Sequence, residues 1–164
     1  MLADYRIRWV NNENLHVTLF FFGEIHANQI PELRRLLRST AQNLSRFSFS
    51  VTAPGIFKKG KEPRVLWLGI KAPEILFEIK KEIDKAAAVL GFIPDEKTFR
   101  PHLTLGRFVP RQEVHPALKS ALMEMQTEEH SEYFVSELIL FESKLSPEGA
   151  QYYPIEIFQL SKEI

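Results

Sequence analysis

Leu15-His16-Val17-Thr18-Leu19-Phe20-Phe21-Phe22 and Pro101-His102-Leu103-Thr104-Leu105-Gly106-Arg107-Phe108 share one core, His-x-Thr-Leu. The chain has only five histidines and six threonines among its 164 residues. A repeated tetrad of two scarce residue types is a far more specific signal than either copy alone. Both stretches are rich in branched and aromatic residues and read as strands, Leu15 to Phe22 closed by Gly23, and Phe99 to Phe108. Successive strand side chains point to opposite faces. His16 and Thr18 are therefore expected on one face, with Val17 and Leu19 packed beneath on the other. His102 and Thr104 repeat the arrangement over Leu103 and Leu105.

The rest of the chain supplies elements to cover such strands. Tyr5 to Val10 reads as a strand, followed by the turn cluster Asn11-Asn12-Glu13-Asn14. Pro31 suits a helix first turn, and Leu33, Leu36, Leu37, Ala41 and Leu44 recur at helical spacing. Phe47, Phe49 and Val51 alternate with Ser48 and Ser50 as a half-buried strand, and Pro54-Gly55 and Lys58-Lys59-Gly60-Lys61 flank a bend. Val65 to Ile70 reads as a more deeply buried strand. Leu76, Ile79, Ile83, Ala86, Ala87 and Leu90 line a second helix that Gly91 stops. Val114, Leu118, Ala121, Leu122 and Met125 suggest a third. Tyr133 to Phe141 and Tyr153 to Leu160 read as closing strands about the turn Ser146-Pro147-Glu148-Gly149. Strands interspersed with three helices predict an α+β class with antiparallel pairing. The histidines stand 86 positions apart, too far for a solenoid period and compatible with two related lobes.

Bulk composition narrows the partners. The length predicts a single domain over residues 1–164. Hydrophobic content of 45% supports a real interior, and no apolar run approaches a membrane span, so no membrane association is expected. The N-terminus lacks the apolar stretch of a signal peptide, and cysteine is absent. Both fit a cytoplasmic protein. Lys plus Arg and Asp plus Glu balance at 21 each. Proteins that coat duplex DNA or long RNA usually carry a basic excess, so neutrality favours a small or terminal phosphate gripped by a few placed groups.

The paired tetrads contain what a phosphodiester displacement needs. One group takes a proton from the attacking water, and another, on the far side of phosphorus, gives one to the departing alkoxide. Imidazole, with an unperturbed pKa of about 6.5, is suited to either task near neutrality. Threonine hydroxyls can donate to the non-bridging oxygens, and Arg107, five residues after His102, can add a charge-assisted contact. His16 and His102 have no third metal ligand at recognisable spacing, so neither a metal nor another cofactor is expected.

These residues resemble the 2H phosphoesterase superfamily. Trp9-Val10 with Asn14 to Leu19 and Gly23, Pro63 to Ile70, Arg100 to Arg107, Leu145-Ser146-Pro147 and Gly149 to Tyr152 resemble its bacterial and archaeal RNA 2′,3′-cyclic phosphodiesterase branch, long called 2′-5′ RNA ligase. The resemblance spans nearly the whole chain. It implies a bilobal fold, with two antiparallel sheets related by a pseudo-twofold axis, helices outside and both tetrads in a central cleft. It implies hydrolysis of RNA or nucleotide 2′,3′-cyclic phosphates to 2′-phosphates, with His16 as general acid for the 3′ oxygen and His102 as general base on water. Thr18 and Thr104 would hold the phosphate, with Arg107 and Pro101 also on the substrate side. Family members usually begin with a further strand and helix before the strand matching Tyr5 to Val10. An oligomer is expected where another chain supplies that strand.

Two other functions share these residues: a module that binds phosphorylated RNA ends without turnover, and an esterase acting on 2′-5′ oligonucleotides. His26, His115 and His130 lack the tetrad context and read as surface residues. Lys58, Lys59 and Lys61 read as a solvated loop, and Trp9 and Trp67 as core.

Overall fold

Leu33, Leu37 and Ala41 recur every fourth position, so one stripe of a helix is apolar, and that stripe is what the fold buries. In the computed structural model, which describes residues 2–95, 97–113, 115–124, 132–146 and 149–161, this is helix α1, Ile30–Gln42, with Pro31 in its first turn. Just upstream, the backbone N–H of His26 donates to Gln29 Oε1 at 2.9 Å, fixing the entry into the helix. Helix α2, Glu74–Val89, buries Leu76, Ile79, Ile83, Ala86 and Ala87. It stops where expected. Gly91 takes φ +82°, Phe92 N donates to the carbonyl of Ala87 and Gly91 N to that of Ala88. That is the paired-bond stop of a Schellman motif, and it needs a residue tolerant of left-handed backbone. Helix α3, Pro116–Glu124, buries Leu118 and Leu122; Val114 and Met125, expected to extend this pattern, lie outside the described residues.

Seven strands form two antiparallel sheets among the described residues, bearing out the α+β antiparallel class. Strands β1 (Ile7–Trp9), β2 (Phe47–Lys59), β3 (Glu62–Lys71), β4 (His102–Phe108) and β5 (Glu132–Val135) order as β1-β4-β3-β2-β5. Strands β6 (Glu137–Ser146) and β7 (Gly149–Gln159) pair as a long hairpin. Helices α1 and α2 bury their stripes with Leu140 and Phe158 of that hairpin, Leu160 and Phe47 in one core cluster. A second cluster joins Leu66, Phe108, Leu118 and Leu122. Each fully buried leucine or isoleucine here contributes about 1.5–3 kcal/mol. Glu156 of β7 is bracketed by Arg34 and Arg38 of α1, tying helix to hairpin by two ion pairs. No described helix is long and apolar enough to cross a membrane.

Three local expectations are corrected. The bend expected between Pro54-Gly55 and Lys58-Lys59-Gly60-Lys61 is instead continuous β2, with Ile56 and Phe57 paired to Leu66 and Val65, and the chain reverses at Gly60, φ +61°. The strand expected over Tyr133 to Phe141 is two strands in different sheets, parted at Ser136, whose carbonyl accepts a hydrogen bond from Leu160 N at 2.8 Å. Leu15 to Phe22 is not in a ladder. Leu19, Phe20 and Phe22 pack on the first core, while Phe21 stays 79% exposed. The segment is anchored by apolar contact and pairs in no ladder among the described residues. At the hairpin tip Ser146 stands opposite Gly149; Pro147 and Glu148 lie outside the described residues, as does His130.

Candidate active site

Residues paired directly across a ladder share a face of the sheet. On β3 and β4 the pairs are Gly69 with His102, Leu68 with Leu103, Trp67 with Thr104, Leu66 with Gly106 and Val65 with Arg107. Leu105 has no partner and forms a β-bulge. Strict alternation would set Arg107, an odd number of positions from His102, on the opposite face. The bulge removes one step, so Arg107 shares the face of His102, Thr104, Gly69, Trp67 and Val65. Gly106 and Phe108 turn inward instead, where Phe108 joins the second core. On its other edge the register with β1 runs on unbroken, and the Leu105 carbonyl accepts from Val10 N at 2.9 Å. β1 then lies close against Gly106, where a Cβ would stand 2.6 Å from Ile7 Cγ2 and 3.1 Å from the Arg8 carbonyl.

His102 is held on two sides. Its Nδ1 lies 2.7 Å from the carbonyl oxygen of Arg100. A carbonyl only accepts, so Nδ1 carries the proton and Nε2 is left for other work. The ring meets Phe57 at 86° with centroids 4.9 Å apart, and Trp67 stands 6.3 Å away. Phe57 and Trp67 stack on each other at 5.0 Å. Trp67 in turn needs Gly55 beneath it, since a Cβ at Gly55 would fall 2.6 Å from Cη2 of the indole. Beside His102, the Thr52 hydroxyl occupies the space a side chain on Gly69 would take.

His16 is held the same way on different elements. Its Nδ1 lies 2.7 Å from the carbonyl oxygen of Asn14, again two residues back. Its ring rests against Tyr152 of β7, 4.7 Å between centroids at 69°, and against Phe141 of β6 at 6.0 Å. Both imidazoles thus hold the same tautomer by the same short-range bond, each against a pair of aromatic rings.

The other expected site residues fall as follows. Thr104 is half-buried on the His102 face, and Pro101 is half-buried just before β4. Arg107 and Thr18 are exposed, Thr18 on the segment that lacks a ladder. His26 and His115 are exposed, as read from the sequence; Lys58, Lys59 and Lys61 are exposed too, but Lys58 and Lys59 end strand β2, paired with Pro63 and Glu62, and only Lys61 lies in the turn. Trp9 is not core: it is 58% exposed at the edge strand. Trp67 is half-buried and is part of the wall beside His102. The aromatic pairs Phe57–Trp67 and Phe141–Tyr152 escaped the sequence reading. Their alternation in strands gives no sign of which ring meets a histidine.

A family model described as the 2′-5′ RNA ligase superfamily matches residues 3–144. The chain belongs to this superfamily. Among its relatives, an RNA 2′,3′-cyclic phosphodiesterase of Methanothermobacter thermautotrophicus is 34% identical over 159 residues, covering 96% of this chain and 85% of that protein. One of Thermotoga maritima, of the same name, is 34% identical over 152 residues, covering 93% and 79%. The crystal structure of TT0787 of Thermus thermophilus superposes with a TM-score of 0.78 at 27% identity, covering 94% of this chain and 82% of that one. That of E. coli LigT complexed with 3′-AMP gives 0.69 at 25% identity, covering 95% and 81%.

Proposed function

We propose that this protein is an enzyme that hydrolyses RNA or nucleotide 2′,3′-cyclic phosphates to 2′-phosphomonoesters, using His16 and His102 and no metal. The observation that carries the reading is the shared anchoring of the two imidazoles, each with Nδ1 bound to the carbonyl two residues back and Nε2 without a hydrogen bond among the described residues. The superfamily and the names of the relatives support the substrate class. The two sheets act as two lobes of one unit, with the rings facing one phosphate.

The chemistry balances with one water. His102, neutral, takes a water proton at Nε2 as the oxygen attacks phosphorus. The bond from phosphorus to the 3′ oxygen breaks opposite the attack, and His16, protonated, gives its Nε2 proton to that oxygen. Each transfer is typically worth about 10²–10⁴ in rate. Thr104 and Thr18 donate hydroxyl hydrogen bonds to the non-bridging oxygens, and Arg107 offsets their charge. Because Nδ1 keeps its proton throughout, neither ring has to turn between states.

The test is turnover of adenosine 2′,3′-cyclic phosphate by protein exhaustively treated with EDTA, with the products separated by chromatography. A 2′-monophosphate formed at an undiminished rate is expected. Turnover by a His16→Ala/His102→Ala double variant would sink the reading. A second reading, binding of phosphorylated RNA ends without turnover, is favoured by one observation, the exposed Thr18 on a segment outside any ladder. It is distinguished by saturable binding of a 2′-nucleotide with no product formed.

A further inference from the structure

The His102 face continues past Thr104 into a row of arginines. Arg107 of β4 is paired across the ladder with Arg8 of β1. Directly opposed residues hold their Cβ atoms about 4.5–5.5 Å apart, and like charges so placed repel. Both side chains are exposed, and neither makes an ion pair with a described residue. Arg6, two residues before Arg8 in the extended chain, is also exposed, and its carbonyl accepts from Val109 N, the next residue beyond β4. An arginine pair without an acid, on a chain whose net charge is zero, is an uncompensated local field. An anion between the two guanidinium groups turns a repulsive pair into two charge-assisted hydrogen bonds.

The position says which anion. Two ladder steps separate Thr104 from Arg107 once the bulge is discounted, about 7 Å along β4, and β1 lies about 4.8 Å to the side. That is roughly one nucleotide from a phosphate held at Thr104. We propose that Arg8, beside Arg107 at the terminal phosphate, holds the phosphodiester that precedes that phosphate in an RNA chain. The site then favours polynucleotide ends over mononucleotides. This assignment takes the terminal phosphate to sit at His102 and Thr104, and so rests on the function proposed above.

The experiment is titration calorimetry with two product-like ligands, adenosine 2′-monophosphate and the dinucleotide ApA carrying a 2′-terminal phosphate. It uses the full chain and its Arg8→Ala variant. The dinucleotide should lose about tenfold more affinity than the mononucleotide, in keeping with one charge-assisted contact. Its slope of log affinity against log salt should fall by about 0.7, one phosphate contact on a single strand. Arg8→Lys, which keeps strand and charge, should retain most of the salt slope. Equal weakening of both ligands, or weakening of neither, overturns the assignment. Turnover by the unmutated chain is read separately. If it fails while the Arg8-dependent preference persists, the hydrolytic reading falls and the phosphodiester subsite stands.

Discussion

Trp67 lies flat over Gly55 on the neighbouring strand, with no room between ring and backbone for a methyl group. Phe57 stacks on that indole and meets the His102 ring nearly at right angles. The position of a candidate acid–base group thus depends on a glycine two strands away. Gly55→Ala is expected to push Trp67 outward at a cost of about 1–3 kcal/mol, the usual penalty of overpacking. Thermal melting reads that loss. Turnover of a cyclic phosphate should drop with it, and Trp67→Phe should restore part of both in the Gly55→Ala background.

Removal of either imidazole should abolish one limb of the pH dependence. The unmutated chain is expected to show a bell-shaped profile for kcat/KM, one side from each ring. His16→Ala and His102→Ala should each lose about 10²–10⁴ in kcat, and the double variant little more than the worse single one, because the two act as a unit. A profile that keeps both limbs in either single variant would contradict the assignment.

The threonines should separate from the histidines kinetically. Thr104→Val keeps the strand-favouring shape but removes the hydroxyl. A loss of about 10²–10³ in kcat is expected for a donor to developing charge, with the pH profile unmoved.

Gly106→Ala tests the approach of β1. The added methyl meets Ile7 and the Arg8 carbonyl. A destabilisation of about 1–3 kcal/mol is expected in denaturant titration. Binding of ligands with more than one phosphate should weaken as Arg8 is displaced from Arg107.

Acid should loosen helix α1 from the hairpin. Hydrogen bonds from Arg34 and Arg38 hold the Glu156 carboxyl below the usual glutamate range. A folded value depressed below the unfolded one adds stability above the unfolded value of about 4.3, and that stability is lost as pH falls through the folded value. The melting temperatures of the parent and of Glu156→Gln should therefore differ at pH 7 and converge well below pH 4. A constant difference across that range would exclude the linkage.

Much of this was legible in the chain because the decisive patterns are short. His102 with Thr104, the stripes of α1 and α2 and the stop at Gly91 all depend on spacing within a few residues. What escaped depends on how the chain meets distant partners. The bulge at Leu105 exists only against β3, so counting alone cannot place Arg107 on the His102 face. Tyr133 to Phe141 carries one apolar rhythm, yet its halves pair with Phe47–Ser50 and with β7. Leu15 to Phe22 has the composition of a strand, but a ladder needs a neighbour and not only a propensity. Trp9 is apolar and bulky, and nothing in its local sequence reveals that β1 is an edge.

The matching grips on His16 and His102 bear on which way a reaction runs. Held alike, the two rings have no built-in order of donor and acceptor. On the proposed reading, regiochemistry is then decided by how the nucleoside lies. A ribose presented the other way round would set its 2′ oxygen before His16 and release the 3′-monoester in place of the 2′, each ring keeping its duty.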